Sequence, residues 1–390
     1  QRNKNMLVLH HHLQASYLEV SRMSYYDELV KWKDFDFEGY FNSVTDEEIL
    51  KSIEKDKLSV YDYLNLLSPK AKNHIEKMAQ RAHKLTRQYF GNVIGLYLPI
   101  YVSNYCTSNC IYCGFSKKNH IVRRHMKFEE IEREAKEIAK SGIENILLLT
   151  GEAKVLVDKE YLKGGIDVLK KYFSSVSIEV MPLDEEDYRY LAEDGLDGLT
   201  VYQETYDEKR YAEVHLSGEK RNFKYRLDTP ERGAKAGLRT IGIGALLGLG
   251  DIRSDAFKTG LHLKYLIDNY PNSEFSISFP RVNEAEGNLK DSYAVDDITF
   301  VQIILANRIF QPTAGITLST RESAYMRDNL LQLGITKFSA GSKTEVGGYS
   351  HENESTAQFD ITDNRSVEEI VEAIRKRGLE PKYKDWETLL

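Results

Sequence analysis

One pattern constrains this chain more than any other. From about Leu96, short apolar and β-branched runs alternate with segments of helical spacing. The runs are Leu96–Ser103, Ile146–Thr150, Val176–Met181, Gly198–Val201, Thr240–Ala245, Phe275–Phe279, Ile316–Leu318 and Lys337–Ser339. Between the first two, Phe128, Ile131, Ala135 and Ile138 step by three or four residues and Gly142 follows. That spacing predicts an amphipathic helix closed by its glycine. The count is eight strands, each but the last clearly followed by a helix. Repeated βα units specify an α/β fold with a parallel sheet, and eight of them predict a closed (βα)8 barrel of the TIM type. A doubly wound open sheet is the alternative. The barrel is expected over residues 93–345, after an N-terminal helical extension over 23–92 and before a short helical tail over 346–390 that packs on it.

The extension is marked by its caps. Thr45-Asp46-Glu47-Glu48 has the form of a capping box. Ser68-Pro69 offers an N-cap followed by Pro at the first helical position, and the helix should run to Phe90 and stop at Gly91. Ahead of it, Gln1 to Arg22 carries His10-His11-His12 in no periodic context. That stretch reads as an appended leader with a tag remnant, rather than a metal site, and is set aside. In the tail, Ser366 to Leu390 holds one amphipathic helix and then Lys384-Asp385-Trp386-Glu387.

Composition removes whole classes of function. The 390 residues carry 53 Lys and Arg against 60 Asp and Glu, a net charge of −7 without a basic cluster. Nucleic acid is therefore not an expected partner. No run of 18 uncharged apolar residues suggests a membrane span, and no secretory leader opens the chain. A cytoplasmic location is expected. The three cysteines are an odd number, which a disulfide framework does not use.

All three fall in Cys106-x3-Cys110-x2-Cys113, directly after the first barrel strand. The loop is therefore expected at the strand's C-terminal end, the face where barrel active sites lie. Three thiolates on one short loop can hold three irons of a [4Fe-4S] cubane. The fourth iron is then open to the amino and carboxylate groups of S-adenosylmethionine (SAM), whose sulfonium yields a 5′-deoxyadenosyl radical on one-electron reduction. Tyr112 is placed to pack near the adenine. The competing readings are a structural zinc site, with His120 or His125 as fourth ligand, and three thiols without a metal.

Further motifs end the later strands. Thr150-Gly151-Glu152 follows the second; its glycine lets backbone approach a ligand and its carboxylate can accept from an ammonium. Glu204, in Tyr202-Gln203-Glu204-Thr205-Tyr206, and Arg226 beyond it could clamp the two charged ends of an amino acid group. Gly242-Ile243-Gly244-Ala245-Leu246-Leu247-Gly248 resembles a phosphate loop without its spacing. Its apolar residues, Leu246 beside Gly244, suit an adenine better. Arg281 after the sixth strand, and Ser319 and Arg321 after the seventh, put guanidinium groups at the barrel mouth. Each suits bidentate capture of a carboxylate or, equally, a structural ion pair.

These residues resemble the aromatic-amino-acid lyases of the radical SAM superfamily, and most of all the tyrosine lyases of thiamine biosynthesis. The resemblance spans roughly Asp36 to Glu387. It is carried by Leu98-Pro99-Ile100-Tyr101-Val102-Ser103-Asn104-Tyr105-Cys106, Cys110-Ile111-Tyr112-Cys113-Gly114-Phe115 and Val201–Tyr206. Leu318–Ser323, Lys343-Thr344-Glu345-Val346-Gly347-Gly348-Tyr349 and Lys384-Asp385-Trp386 add to it. It implies cleavage of the Cα–Cβ bond of L-tyrosine to 2-iminoacetate and p-cresol, with SAM split to 5′-deoxyadenosine and methionine. It implies a one-electron reductant of flavodoxin or ferredoxin type, and a thiazole synthase as partner. It assigns Glu204 and Arg226 to the methionyl part of SAM and Thr150-Gly151-Glu152 to its amino group. Tyr101 would line the substrate pocket, and Arg321 would hold the substrate carboxylate.

Two relatives compete within this branch. The tyrosine lyase of iron-only hydrogenase maturation carries three further cysteines for a second cluster, whereas this sequence has no cysteine after Cys113. Leu227-Asp228-Thr229-Pro230-Glu231-Arg232 also reads more like the thiamine enzyme. A tryptophan-cleaving lyase is the other option. Outside the branch stands a non-enzymatic iron–sulfur or zinc protein, which has no use for a Glu204–Arg226 pair and two arginines at the mouth.

Overall fold

The computed structural model describes residues 24–282, 292–350 and 355–385. The leader and Trp386 lie outside them. The chain forms two units, Gln1–Phe35 and Asp36–Leu390. The expected extension therefore divides: the helix Tyr25–Val30 belongs to the first unit, and the helices from Phe37 onward belong with the barrel.

The caps form as the sequence requires. Thr45 Oγ1 accepts from the Glu48 N–H at 3.3 Å, and Glu48 Oε2 accepts from the Thr45 N–H at 2.9 Å. Both satisfy donors that helix Asp46–Glu54 leaves free. Ser68-Pro69 differs slightly from expectation. It opens a 3-10 turn, Pro69–His74, and the helix itself runs Ile75–Phe90 before Gly91 turns the chain at φ 60°. Helix Val60–Leu67 is anchored on the barrel's outer helices. Tyr63 stacks on Phe310 with centroids 4.2 Å apart, and its hydroxyl donates to the Ala256 carbonyl at 3.0 Å. Gln302 Nε2 donates to the Leu66 and Ser68 carbonyls at the end of that helix, at 2.7 and 2.8 Å.

The barrel closes. Its strands are β1 (Val93–Ser103), β2 (Asn145–Thr150), β3 (Ser175–Glu179), β4 (Gly198–Glu204), β5 (Thr240–Ala245), β6 (Glu274–Ser278), β7 (Gly315–Leu318) and β8 (Lys337–Ser339). Every neighbour pairs parallel in chain order, and β8 returns to β1 with Gly95 opposite Lys337. The open-sheet alternative is thereby excluded. Helix Phe128–Ala139 buries Ile131, Ala135 and Ile138 as its spacing predicts, while Phe128 stays largely exposed and stacks on Tyr161. The eighth unit also has its helix, Val367–Lys376, after a long connection. Within the barrel sheet one strand was not expected: β9 (Glu380–Lys382) pairs parallel with the start of β1.

The long connection is tied down by a buried ion pair between Arg327 and Asp363, both essentially without exposure. Beside it, the Thr362 and Asp363 N–H groups donate to the Thr320 carbonyl at 3.0 and 3.2 Å. The tail thus fixes the loop after β7.

Candidate active site

The cysteine loop leaves the C-terminal end of β1 and is held from several sides. Asn109–Cys110 pairs antiparallel with His215–Ser217, from the segment after β4. The Arg123 guanidinium donates to the carbonyls of Asn104, Phe115, Ser116 and Asn119. Below, the Gly151 N–H donates to the Ser103 carbonyl at 2.8 Å, and a Cβ at Gly151 would lie 2.3 Å from the Tyr105 carbonyl oxygen. The glycine of Thr150-Gly151-Glu152 therefore admits the cysteine loop itself. Gly114 does the same on the other side, where a Cβ would meet the Gln358 carbonyl at 2.6 Å.

Cys110 is buried and Cys106 and Cys113 are half-buried. Burial, then the Glu152 charge, pushes the Cys106 thiol up to about 11. Burial likewise pushes Cys110 and Cys113 upward, against the pull of Lys220. Such thiols become thiolates only beside added positive charge, which iron supplies. Among the described residues, no three His, Cys, Asp or Glu side chains converge as a single metal ion requires. A cubane needs no such convergence, because each thiolate takes its own iron. The donor set fits the cluster and disfavours zinc; the His125 backbone bridges to Ser103, and its ring packs at a tilt against Tyr161 with centroids 4.3 Å apart.

Beside the loop lies a buried charge quartet. Arg226 Nη1 donates to Glu152 Oε1 at 2.7 Å, and its Nη2 lies 3.8 Å from Glu204 Oε1. Arg226 Nε donates to the Tyr202 carbonyl at 2.7 Å. Lys220, which the sequence reading did not single out, puts Nζ 2.8 Å from Glu204 Oε1 and 4.0 Å from Glu152 Oε1. Burial pushes the Glu204 carboxyl up, but Lys220 and Arg226 more than offset this and hold it below its ordinary value. Two carboxylates and two cations can exchange partners with the ammonium and carboxylate of an amino acid group. Among the buried atoms without a hydrogen-bond partner in the described residues are Thr150 Oγ1 and Gln203 Oε1, in the segments that carry Glu152 and Glu204. They are the kind of groups a bound ligand satisfies.

Tyr112 is positioned by His215. The His215 Nδ1–H donates to the Tyr211 carbonyl at 2.8 Å, so Nε2 accepts from the Tyr112 hydroxyl at 2.8 Å. Burial pushes the His215 pKa down to about 3, which keeps it neutral in this role. The Tyr112 ring packs with Ile111 and Val282 on Val214, Leu246 and Leu249, an apolar patch suited to a flat heterocycle. Gly244 does not share it. A Cβ there would meet the Tyr202 ring at 2.6 Å and the Ser278 carbonyl at 2.3 Å, inside the barrel.

One cavity gathers the chemistry, lined among others by Tyr101, Cys113, Glu179, Glu204, Arg321 and Phe359. Tyr112, Lys220, Leu246 and Ser319 also face it. The Tyr101 hydroxyl donates to Gln358 Oε1 at 2.7 Å, and Arg321 lies over the Phe359 ring with Cζ 3.5 Å from its centroid. Gln358 and Phe359 belong to the tail and carry no motif, so the sequence did not announce them. Arg281 is elsewhere. Its guanidinium pairs with both oxygens of Glu322, with Asp297 at 2.7 Å and with the Val295 carbonyl at 3.0 Å. Of the two readings open for it, the ion pair holds and substrate binding does not. A larger void of about 980 Å³ occupies the other end of the barrel. It holds no comparable constellation and arises because inward positions such as Gly95, Ser177, Gly242, Ser276 and Gly315 are small.

Comparison with known proteins gives the family. Residues 100–258 match the Radical SAM superfamily, and residues 278–380 match the Biotin and Thiamin Synthesis associated domain. The chain is 40% identical over 364 residues to the 2-iminoacetate synthase of Escherichia coli strain K12, covering 92% of this chain and 97% of that one. Among solved structures it resembles HydG, a maturase of the [FeFe]-hydrogenase, with a TM-score of 0.85, 28% identity, and coverage of 90% of this chain and 80% of that one. The HydG of Carboxydothermus hydrogenoformans gives a TM-score of 0.81 at 31% identity, covering 92% and 82%.

Proposed function

Because the chain belongs to the 2-iminoacetate synthase family of the radical SAM superfamily, we infer that it is a radical SAM lyase that cleaves the Cα–Cβ bond of L-tyrosine. It yields 2-iminoacetate and p-cresol for thiazole and thiamine biosynthesis, and converts SAM to 5′-deoxyadenosine and methionine. The observation that carries this reading in the structure is the cavity that presents Cys113, Glu204, Lys220 and Arg321 to one space. A cluster ligand, a zwitterion clamp and a carboxylate anchor thus share a single chamber.

In this reading Cys106, Cys110 and Cys113 hold a [4Fe-4S] cluster that, once loaded, supplies the electron to split SAM. Glu152, Glu204, Arg226 and Lys220 bind the charged methionyl end, and Thr150 and Gln203 carry buried oxygens without a hydrogen-bond partner among the described residues. Tyr112 and Leu246 pack the adenine. Tyr101 and Ser319 line the substrate space, and Arg321 binds the tyrosine carboxylate, its guanidinium held on Phe359. The reductant, of flavodoxin or ferredoxin type, the hand-over of 2-iminoacetate to a thiazole synthase and a cytoplasmic site of action complete the proposal. Among the described residues no helix is long and apolar enough to cross a membrane. The 2-iminoacetate synthase relative is matched at 40% identity and HydG at 28%, which supports the thiamine reading over the hydrogenase-maturation one.

The test is anaerobic turnover of reconstituted protein with L-tyrosine, SAM and a one-electron reductant, with products separated by chromatography. Tyrosine-dependent p-cresol supports the reading. SAM cleavage that ignores tyrosine and responds to another amino acid overturns it.

A further inference from the structure

We propose that Glu179 is the acid–base group for the substrate phenol. It takes the phenol proton as the side-chain bond breaks and returns it to the oxygen of the finished cresolate. The proposal rests on the tyrosine-lyase reading and names a residue that no sequence motif marks.

The placement comes from the barrel's ring order. Glu179 is the last residue of β3, level with Leu149 of β2, which is itself level with Tyr101 of β1. Arg321 follows β7. In the closed ring of eight, β3 and β7 are four strands apart, so they form opposite walls. Both side chains line the same cavity. A tyrosine whose carboxylate sits on Arg321 therefore directs its far end, the phenol, toward the β3 wall.

The Glu179 carboxyl is available there. Among the described residues it makes no hydrogen bond and no ion pair, unlike Glu152 and Glu204. The charged groups facing it are Glu204, Lys220, Arg226 and Arg321, and the phenols are Tyr97, Tyr101 and Tyr202. The Tyr101 hydroxyl is already committed to Gln358. Burial, then the Glu204 charge, pushes the Glu179 carboxyl up to about 7. A group that must accept and return one proton near neutrality works best with such balance.

The step balances. Loss of one hydrogen atom from the substrate amine, followed by Cα–Cβ scission, gives 2-iminoacetate and a 4-hydroxybenzyl radical. Transfer of its phenol proton to the Glu179 carboxylate leaves a 4-oxidobenzyl radical and a neutral carboxylic acid. One electron from the flavodoxin- or ferredoxin-type reductant and one solvent proton at the methylene give p-cresolate. Glu179 then returns its proton to oxygen, which releases p-cresol and restores the carboxylate.

The test compares the parent with Glu179→Gln, a substitution of equal shape that removes no hydrogen bond. Two readouts are taken. In unreduced holoprotein with SAM, tyrosine affinity of the parent should rise with pH through about 7, where the carboxylate forms. Glu179→Gln should lack that rise, and O-methyltyrosine, which has no phenol proton, should bind both proteins alike. In turnover, Glu179→Gln should lose roughly a hundredfold or more in p-cresol formation. With 3,5-difluorotyrosine, whose phenol is far more acidic, the loss should shrink to under about tenfold, because less proton transfer is left to catalyse. Equal losses with both substrates, or an unchanged pH dependence of binding, overturn the role. Glu179→Asp, with iron content and SAM binding measured, separates a folding defect from a chemical one. If the parent itself does not cleave tyrosine, the functional reading fails; if only the Glu179 differences are missing, this inference alone fails.

Discussion

Arg321→Ala should lower tyrosine turnover by two to three orders of magnitude while leaving the cluster and SAM binding intact. The structure explains why the residue is ready before substrate arrives. The guanidinium lies on Phe359, the Arg321 N–H donates to Ser319 Oγ at 3.4 Å, and the Thr320 carbonyl is held by two N–H groups of the tail. Burial pushes the Arg321 pKa down, yet a guanidinium begins so high that it stays charged. A desolvated guanidinium gains more from a carboxylate than a hydrated one, and deleting one partner of such a pair strands the other at about 3–5 kcal/mol. At about 1.4 kcal/mol per decade, the lower half of that range gives the stated loss. No second arginine takes over, because Arg281 is saturated by Glu322 and Asp297. Arg321→Lys should rescue little, since an ammonium is a point charge and cannot make the paired contacts. The assay is anaerobic turnover with p-cresol and 5′-deoxyadenosine quantified together. The expected signature is slow 5′-deoxyadenosine formation without p-cresol. Cleavage at near the parent rate would refute the reasoning and place the carboxylate elsewhere.

Three further outcomes are expected. Cys110→Ala should not assemble a cluster of about four irons, and should not cleave SAM; iron analysis showing a full cluster would remove Cys110 from the ligand set. Gly151→Ala would place a Cβ 2.3 Å from the Tyr105 carbonyl. It should lower cluster occupancy through about 1–3 kcal/mol of loop strain, whereas parent iron content and activity would show that the loop can move aside. From tyrosine, the products should be p-cresol and glyoxylate, the hydrolysis product of 2-iminoacetate. Carbon monoxide trapped in proportion to p-cresol would contradict the assignment.

The barrel was legible because its strands are marked by runs whose length and composition are local properties. All eight expected runs overlap a strand of the structure. The addition of β9 was not legible, since Glu380-Pro381-Lys382 has no strand-like pattern and pairs only because the edge at Val93–Gly95 is open to it. The glycines show the limit most clearly. Gly242-Ile243-Gly244 looked like a ligand loop, but it lies within β5. A Cβ at Gly242 would meet Thr200 and Ser276, and one at Gly244 would meet Tyr202. The strand run Thr240–Ala245 was legible, with Ile241 and Ile243 buried at alternate positions; the glycines between them suggested a ligand loop as well, and the structure places them against neighbouring strands instead. Within the site, Glu204 and Arg226 carried a motif, whereas Lys220, Glu179, Gln358 and Phe359 are single residues brought in by strand register or by the returning tail.

Glu204 joins fold and chemistry at one residue. Its backbone has φ 73°, the only positive φ at a non-glycine among the described residues. The pairing of β4 with β5 shifts register between Tyr202 and Glu204, so the strand breaks its alternation where it meets the quartet. A left-handed conformation costs an ordinary side chain about 1–2 kcal/mol, and a glycine here would avoid it. The position nevertheless holds a buried glutamate, whose carboxylate is compensated by Lys220 at 2.8 Å and by Arg226. The bulge turns the carboxylate toward those cations, and the cations make its burial tolerable. Such strain persists only where surrounding contacts over-determine it, and those contacts are here the same groups proposed to receive the charged end of SAM. The fold thus accepts a local cost at a residue proposed to bind SAM, at the C-terminal end of a strand, where a barrel presents its functional groups.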